Sequence, residues 1–349
     1  MSAPSIGHER AGSLPPTWTP PAVAPVSDGA PRPFWSVMIP TYNGQDHLTG
    51  ALTSVLEQDP GPQHMQIEVV DDCSPSREIA TLVERLGGGR VGYHRQPRNV
   101  GHSANFNACV RRSRGEVVHL LHDDDEVRPG FYAALEEPLR QRPELGAAFV
   151  RTIYADAEGH WRAFSPVERP EPGVLDDWLR RIAAGQRTTT PAMVLRRRTY
   201  ERLGGYLEGF RTSGEDWEMW VRVAATTPVW FEPAPLAVYR MQRPGSLSGA
   251  ARGSDALVRD MLLATDLIAR YLPRALGEPA AATALRRARD QYAAWALQEA
   301  AALAHAGRRA DAWRAGRLAV REGRARPLLV AGLRAARQHR PRRRSAGGG

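Results

Sequence analysis

The chain has 349 residues, of which 42% are apolar and 24% charged, and this balance excludes a fibrous or wholly disordered protein. The longest apolar runs, such as residues 117–121, are far shorter than the roughly 20 residues that span a bilayer, and the N-terminus has no apolar signal segment. Two cysteines without CxxC spacing exclude a disulfide framework and a thiolate metal cluster. We therefore expect a cytoplasmic protein.

The net charge of +9 is unevenly distributed along the chain. Residues 249–349 carry +12 and residues 1–248 carry −3, and all 47 basic residues are Arg. The exclusive use of Arg indicates a compositional bias of the whole chain. We therefore discount the net charge as evidence of function and do not expect nucleic acid as a partner. The arginine-rich residues 340–344 form either a solvated terminus or a peripheral contact with the inner face of the membrane.

Residues 1–33 are rich in Pro and poor in large apolar side chains, which predicts a disordered leader. The next segment, residues 34–248, alternates short apolar runs with apolar residues at helical spacing. Strands are predicted at 35–39, 67–70, 91–94 and 117–121, with helices between them. This order predicts an α/β domain with a mostly parallel sheet covered by helices on both faces.

The C-terminal part is dominated by Ala, Leu and Arg at helical spacing. Helices are predicted over residues 256–271, 283–305, 309–321 and 328–337. We assign residues 249–338 to a helical C-terminal region and residues 339–349 to a basic, Gly-rich tail.

Polar clusters follow three of the predicted strands. Residues 41–43 follow the first strand, Asp71 and Asp72 follow the second, and residues 122–125 follow the fourth. Parallel sheets bind ligands outside the carboxyl ends of their strands, so one cleft can collect all three clusters. The sequence has neither a GxxxxGK[ST] loop nor a GxGxxG after the first strand, which argues against a P-loop or a dinucleotide fold.

The acidic side chains of these clusters each allow two interpretations. Asp123, Asp124 and Asp125 repel one another unless a cation intervenes, so they form either a Mg²⁺ or Mn²⁺ site or a solvated acidic turn. The Asp71–Asp72 pair either accepts hydrogen bonds from a nucleoside or caps the next helix. Glu215 and Asp216 lie at a predicted helix start. They either supply a general base or only cap the N-terminus of that helix.

Taken together, the motifs resemble the glycosyltransferase family 2 enzymes of GT-A fold over roughly residues 35–241. The resemblance lies in five segments, in this order: Ser36–Asn43 (SVMIPTYN), Val70–Ser74 (VDDCS), Arg98–Asn105 (RNVGHSAN), Leu121–Asp125 (LHDDD) and Gly214–Trp217 (GEDW). It implies a mixed, mostly parallel Rossmann-like sheet with a helical C-terminal appendage, and an inverting, metal-assisted transfer from a nucleotide-diphosphate sugar to a glycan or lipid-linked acceptor.

The resemblance also implies roles for single residues. Asp216 would deprotonate the acceptor hydroxyl, with Glu215 and Trp217 on the acceptor side. Residues on the nucleotide-sugar side would be Pro40, Thr41 and Tyr42 around the base, Asp71 and Asp72 at the nucleoside, Asn99 and Gly101 at the diphosphate, and Asp123.

Two positions depart from the family pattern. The metal-binding stretch begins with His122 where the family has Asp, so Asp124 keeps the expected direct ligand position. His122 either binds the metal through a ring nitrogen, hydrogen-bonds a ribose or has a structural role. After the base motif, Gln242 replaces a His that many relatives carry, and Arg240 is either a diphosphate contact or a surface arginine.

A different class of function is a non-catalytic nucleotide-sugar or nucleic-acid binding protein on the same fold, supported by the basic tail. Nucleic-acid binding would weaken steeply with salt, whereas donor binding would depend on Mg²⁺ or Mn²⁺. Nucleotidyl transfer would require a phosphate loop rich in Gly, Arg or Lys near the first strand, and the chain has none.

Overall fold

The computed structural model describes residues 18–26, 29, 31–241 and 255–323. Its strands are β1 (Trp35–Thr41), β2 (Met65–Asp71), β3 (Gly92–Arg95), β4 (Val117–Leu120), β5 (Glu126–Val127), β6 (Ala147–Ala155), β7 (Trp161–Phe164), β8 (Gly173–Val174), β9 (Met193–Arg196) and β10 (Val229–Arg240). Its helices are α1 (Leu48–Leu56), α2 (Glu78–Gly87), α3 (His102–Arg112), α4 (Phe131–Gln141), α5 (Trp178–Ala183), α6 (Arg197–Leu203), α7 (Glu215–Ala224), α8 (Ala256–Ile268), α9 (Leu272–Leu276), α10 (Glu278–His305) and α11 (Arg309–Glu322). A 3₁₀ turn covers Thr190–Ala192.

All of these strands belong to one mixed sheet with the order β3-β2-β1-β4-β9-β6-β10-β5, and β7 and β8 pair with β6 and β10. The first four strands in this order are parallel, β9 runs antiparallel between β4 and β6, and β6 and β10 are again parallel. The predicted α/β class is therefore confirmed. Because Thr41 pairs with Asp71, the polar segments after β1 and β2 begin at the same level of the sheet.

The core lies on both faces of the sheet, since successive side chains of a buried strand point to opposite sides. Val37 and Ile39 of β1 pack in the cluster that includes α1, α2 and α4. Met38, between them, belongs to the opposite cluster, which includes α3, α5, α6, α7 and the C-terminal helices. The near-continuous apolar character of these strands thus follows from their burial on both faces.

The C-terminal helices pack against the second face of the α/β domain. Small side chains on α10, among them Ala281, Ala284 and Ala288, are buried, which permits close approach to its neighbours. The predicted helices at 256–271, 283–305 and 309–321 correspond to α8, α10 and α11, while the one at 328–337 lies outside the described residues. No helix in the described ranges is long and apolar enough to cross a membrane.

The structure differs from the expected disordered leader over residues 18–26. The Trp18 ring lies 5.4 Å from the Phe210 ring, and Val23 is only 5% exposed. Gly205 N donates a hydrogen bond to Pro21 O. The contacts of two large apolar side chains and one backbone hydrogen bond therefore offset the conformational entropy that this segment loses on ordering. The high proline content of the segment did not indicate these contacts. Residues 1–17 lie outside the described part.

Candidate active site

Asp71, the last residue of β2, is buried and holds its surroundings together. Its Oδ1 accepts hydrogen bonds from Ser74 N (2.9 Å) and Ser74 Oγ (2.5 Å), and its Oδ2 accepts from Tyr93 (2.7 Å) and Arg95 (2.8 Å). Burial and the Asp71 carboxylate raise the pKa of Tyr93 to about 12, so the phenol stays a donor. The four acceptor positions of Asp71 are occupied by the chain itself. A nucleoside contact would have to displace one of them.

Asp72 connects the end of β2 to the start of α3. Its two carboxylate oxygens accept from Val100 N (2.7 Å) and Gly101 N (2.9 Å), and burial raises its pKa. Gly101 precedes α3 with φ of +86°, a conformation that favours glycine. The exposed Asn99 accepts a second, longer hydrogen bond from Gly101 N. The structure therefore brings together Asp72, Asn99 and Gly101, three of the predicted donor-side residues.

The loop after β1 meets the acidic stretch after β4. Thr41 Oγ1 donates to Asp123 Oδ2 over 2.5 Å, and a Cβ on Gly44 would lie 1.8 Å from the same oxygen. Close approach therefore requires a glycine at position 44. Pro40 and Thr41 are buried, whereas Tyr42 is 48% exposed, so Tyr42 alone of these three offers an exposed side chain to a base.

The stretch after β4 gathers possible metal ligands. One ligand atom from each of His122, Asp124 and Asp125 lies within 4.8 Å of the others. Across the described ranges, the buried atoms His122 Nε2 and Asp125 Oδ2 have no hydrogen-bond partner, although His122 Nδ1 lies 3.5 Å from Asp125 Oδ2. The two carboxylates suit Mn²⁺ or Mg²⁺, whereas an imidazole is a more usual ligand of softer divalent metals, so Asp124 and Asp125 are the better fit to the expected cation. The sequence placed Asp125 in the acidic cluster and singled out Asp124 and His122 as ligands, and the geometry adds Asp125 to these candidates.

The charges in this stretch strongly influence one another. Burial lowers the pKa of His122, but its contact with Asp125 and the charges of the three neighbouring carboxylates outweigh it and raise the pKa to about 9. Burial and the Asp124 charge raise the pKa of Asp125 to about 7. A cation bound by these residues would compete with a proton on His122.

Arg240, at the end of β10, supports the acidic stretch. Its backbone N donates to Asp125 Oδ1 (2.9 Å), and its guanidinium donates to Glu126 Oε1 (2.6 Å). The side chain is partly buried, so it is not a plain surface arginine. In this conformation the guanidinium is paired with a carboxylate, and its predicted diphosphate contact stays a prediction.

Helix α7 begins with Glu215, which is buried and paired with His102 on α3 at 3.5 Å. Burial raises the pKa of Glu215, but His102 outweighs it and holds the pKa below its ordinary value. The same pair raises the pKa of His102 against the effect of burial. Glu215 was expected on the acceptor side. The structure instead makes it the charge that joins α7 to α3.

Asp216, the next residue, is partly exposed and held by three donors. Trp217 N donates to Oδ1 (2.7 Å), while Gln186 Nε2 (2.8 Å) and Thr190 Oγ1 (3.3 Å) donate to Oδ2. Burial and the neighbouring Glu215 raise the pKa of Asp216 to about 6. The N-cap of the helix is Gly214 and not Asp216. Gln186 and Thr190 were missed because they belong to no motif.

Trp217 lies in the core and not at the surface of the site. Its side chain is fully buried, its Nε1 donates to Ile182 O (2.7 Å), and its ring packs 5.2 Å from the ring of Tyr292. The Trp217 side chain is therefore not open to an acceptor in this structure, and its acceptor-side role stays a prediction. The residue anchors α7 in the core that α7 shares with α5 and α10.

The strand ends and helix starts converge on Phe106 of α3. Its ring stacks on the His122 ring at 5.2 Å and lies 5.8 Å from the His102 ring. His102 in turn pairs with Glu215, beside Asp216. The two ring contacts of Phe106 thus bring the acidic stretch after β4 and the carboxylates of α7 into one neighbourhood, which contains the candidate cation ligands and the candidate base.

Comparisons with known proteins agree with this geometry. Residues 36–204 match the family described as Glycosyl transferase family 2. The chain is 29% identical over 228 residues to an uncharacterized protein of Mycobacterium tuberculosis, MT1568, covering 62% of this chain and 69% of that one. It is also 29% identical over 157 residues to the putative teichuronic acid biosynthesis glycosyltransferase TuaG of Bacillus subtilis, covering 44% of this chain and 60% of that one.

Two solved structures share the fold. Residues 1–349 of Staphylococcus aureus TarS, in complex with UDP-GlcNAc, give a TM-score of 0.57 at 16% identity, over 88% of this chain and 93% of that one. The mannosyltransferase PcManGT from Pyrobaculum calidifontis, in complex with GDP-Man and Mn²⁺, gives 0.54 at 20% identity, over 91% of this chain and 84% of that one.

The fold and the family match together define a glycosyltransferase with a GT-A architecture. Residues 36–204, which include β1–β4 and the acidic stretch, match glycosyltransferase family 2. The resemblance noted from the five motifs is confirmed.

Proposed function

We propose that this glycosyltransferase moves a sugar from a nucleotide-diphosphate sugar to an acceptor hydroxyl with inversion, and that Asp216 is the general base. The observation that carries the proposal is the Asp216 carboxylate itself. It is partly exposed, lies at the start of α7 beside the His102–Glu215 pair, and has a pKa raised to about 6. A base with a pKa near the operating pH is both ionised and basic enough to take a proton.

In the proposed reaction the acceptor oxygen attacks the anomeric carbon while Asp216 takes its proton. The bond between that carbon and the diphosphate oxygen breaks, and its electron pair leaves with the nucleoside diphosphate. Attack opposite the leaving group inverts the anomeric centre. Aligning a single nucleophile opposite the leaving group is therefore the main demand on Asp216.

The donor is proposed to lie along the ends of β1 and β2 and the start of α3. Tyr42 would face the base, Asp72 the nucleoside, and Asn99 and Gly101 the diphosphate, with Asp123 held by Thr41 next to them. Support comes from the proximity of these groups and from the fold shared with structures that contain UDP-GlcNAc or GDP-Man.

His122, Asp124 and Asp125 are proposed to hold Mg²⁺ or Mn²⁺, which when bound supplies positive charge next to the departing diphosphate. The fit of their donor atoms supports this assignment, as does the Mn²⁺ in the PcManGT complex. Arg240 keeps Asp125 in position through its backbone N.

The acceptor is proposed to be a growing glycan or a lipid-linked saccharide of a cell-surface polysaccharide, because TuaG is named for teichuronic acid biosynthesis. The arginine-rich residues 340–344, outside the described part, would then contact an anionic membrane surface, each Arg contributing about 1 kcal/mol. Cosedimentation with phosphatidylglycerol vesicles, compared with phosphatidylcholine vesicles, tests this. A chain lacking residues 324–349 should lose the difference.

The proposed base is tested by Asp216→Asn. A thermal-shift panel of nucleotide-diphosphate sugars with Mn²⁺ first identifies the donor, because ligands stabilise the folded state by mass action. Asp216→Asn should then lower turnover by about 10²- to 10⁴-fold while the donor affinity stays unchanged. The control is Asp266→Asn, which only breaks an exposed ion pair with Arg289 and should behave as wild type.

Turnover by Asp216→Asn at the wild-type rate would contradict the proposal. A wild-type protein that binds a donor and turns over none, with or without glycan acceptors, would instead identify the non-catalytic nucleotide-sugar binding protein.

A further inference from the structure

We propose that Gln186 is a positioning residue for Asp216, and that helix α10 of the C-terminal region holds Gln186 in place through Tyr292. The inference rests on the proposed function, because the orientation of Asp216 matters to the rate only if Asp216 is the base. Gln186 lies between α5 and the 3₁₀ turn at Thr190, in a segment that none of the five motifs includes.

The first link is the contact between Gln186 and the base. The Nε2 of Gln186 donates to Asp216 Oδ2 at 2.8 Å, and Thr190 Oγ1 donates to the same oxygen at 3.3 Å. Trp217 N occupies one acceptor position of Oδ1. Each carboxylate oxygen has about two such positions, so within the described chain one position of Oδ1 is left. We therefore assign Oδ1 as the atom that takes the hydroxyl proton.

The second link connects Gln186 to α10. Its backbone N donates to the Tyr292 hydroxyl at 3.0 Å. Tyr292 is fully buried, with its ring 5.2 Å from that of Trp217 and 5.3 Å from that of Trp295. The phenol therefore packs in the core against the buried Trp217 ring, with the exposed Trp295 ring on α10 also in contact. Its burial raises its pKa far above the ordinary value, so it stays neutral.

The backbone next to Gln186 also fits closely against α10. Gly185 has φ of +150°, and a Cβ there would lie 2.5 Å from Gln291 Oε1. A side chain at position 185 would therefore have to displace the Gln291 amide. The hydrogen bond to Tyr292 fixes where the Gln186 side chain begins, and hence where its amide meets the base.

The loss of the Gln186 amide should have two effects on Asp216. The carboxylate gains rotational freedom, which lowers the fraction of time in which Oδ1 faces the acceptor. Its ionised form also loses a donor, which raises its pKa. The charged and titratable groups around Asp216 are Glu215 on the same helix, His122 after β4, Tyr206 and Tyr292. All of them remain in a Gln186 variant.

The experiment uses the full chain with Mn²⁺ and either UDP-GlcNAc or GDP-mannose, whichever the donor panel selects, and follows release of the nucleoside diphosphate. Gln186→Leu should lower kcat by about 10-fold, leave the donor KM within about 2-fold, and move the acidic limb of the pH–rate profile to higher pH. A residue that only stabilised the fold would not move the acidic limb.

Tyr292→Phe removes the hydroxyl and keeps the packed ring. It should lower kcat by about 3-fold in the same direction, because the backbone of Gln186 loses its acceptor. The matched control is Tyr271→Phe. It makes the same change in a partly buried tyrosine of the C-terminal region, whose hydroxyl donates to Glu218 O of α7. Wild-type kinetics are expected for it.

The two hypotheses can fail separately. In an Asp216→Asn background, Gln186→Leu should cause no further loss, since the group it positions is gone. An Asp216→Asn variant with wild-type turnover would overturn the proposed base. An inactive Asp216→Asn together with a wild-type kcat and pH profile in Gln186→Leu would overturn the positioning role alone. Tyr292→Phe kinetics equal to those of Tyr271→Phe would overturn the role of α10.

Discussion

The candidate site has two halves that are supported in different ways. The donor half comprises Thr41, Asp72, Asn99, Gly101 and the acidic stretch 122–125, and the base half comprises Glu215 and Asp216 at the start of α7. In the donor half, strand ends and adjacent loops bond to one another, as Asp72 does to Gly101 and Thr41 to Asp123. In the base half, Asp216 depends on contacts from segments without motifs. Gln186 reaches Asp216 from 30 residues away and is itself bonded to Tyr292, 106 residues further along the chain.

The loop before α7 shows the same dependence on the C-terminal helices. Asp260 of α8 is 4% exposed, and its Oδ2 accepts from three backbone N–H groups, at Arg211 (2.9 Å), Thr212 (2.6 Å) and Ser213 (3.3 Å), and from the Thr212 hydroxyl. Two side chains of the C-terminal region therefore support the base half. Asp260 binds the loop before α7, and Tyr292 binds the backbone of Gln186. The comparison indicates that the donor half is self-contained, whereas the base half is built jointly with the helical region.

The largest expected effect is in the donor half. Asp124→Asn removes a negative charge from the proposed cation ligands and should weaken Mn²⁺-dependent donor binding by about 100-fold or more while leaving the fold intact. Calorimetric titration of the donor with and without Mn²⁺ measures this. In contrast, Asp216→Asn should leave the Mn²⁺ dependence of donor binding unchanged. Equal donor affinity in Asp124→Asn and wild type would remove Asp124 from the ligand set.

Asp260→Ala should disrupt the contacts of the base half and leave those of the donor half intact. Three backbone N–H groups lose their acceptor, so we expect a loss of about 2–3 kcal/mol in the free energy of unfolding and a lower kcat at unchanged donor affinity. Urea denaturation and steady-state kinetics test both parts. Asp266→Ala, on the exposed side of the same helix, should cost less than about 0.5 kcal/mol. A parallel loss of donor affinity in Asp260→Ala would show that the two halves are not independent.

Gly44→Ala tests the donor half by crowding. The new Cβ would lie 1.8 Å from Asp123 Oδ2 and 2.5 Å from Thr41 Oγ1, so this hydrogen-bonded pair must move. We expect about 1–3 kcal/mol of destabilisation and weaker donor binding. Gly316→Ala on α11 is the control, because its Cβ would meet its nearest neighbour at 3.9 Å. Stability and donor affinity equal to those of the control would mean that the Thr41–Asp123 contact is not required.

The smallest effect is a pH dependence specific to the base half. The active form of Asp216 is the carboxylate, and its pKa is raised to about 6 by burial and by Glu215. Turnover at saturating donor should therefore rise with pH and reach half its plateau near pH 6, falling about tenfold per unit below that. A pH–rate profile measures it, with binding of the donor followed in parallel. A flat rate between about pH 5 and 7 would exclude Asp216 as the titrating base.

The sequence predicted which residues lie together in the donor half, but it did not predict the hydrogen bonds that they make. The family resemblance named Asp72, Asn99 and Gly101 for the donor side, and the structure brings the three into one neighbourhood. The motifs did not indicate that Asp71 is surrounded by Ser74, Tyr93 and Arg95. Side-chain saturation of this kind depends on neighbouring strands and is invisible in a single segment.

In the base half, the sequence by itself determined that a carboxylate pair begins an amphipathic helix, and in the C-terminal region it determined where the helices lie. Helical periodicity is local, so these elements follow from residues a few positions apart. Only the tertiary structure decided that Trp217 is buried against Tyr292 and that Gln186 and Asp260 hold the base half. These contacts connect elements 30–106 residues apart. Such pairings are fixed by how the helices pack on the sheet, because packing determines which side chains of distant segments face one another.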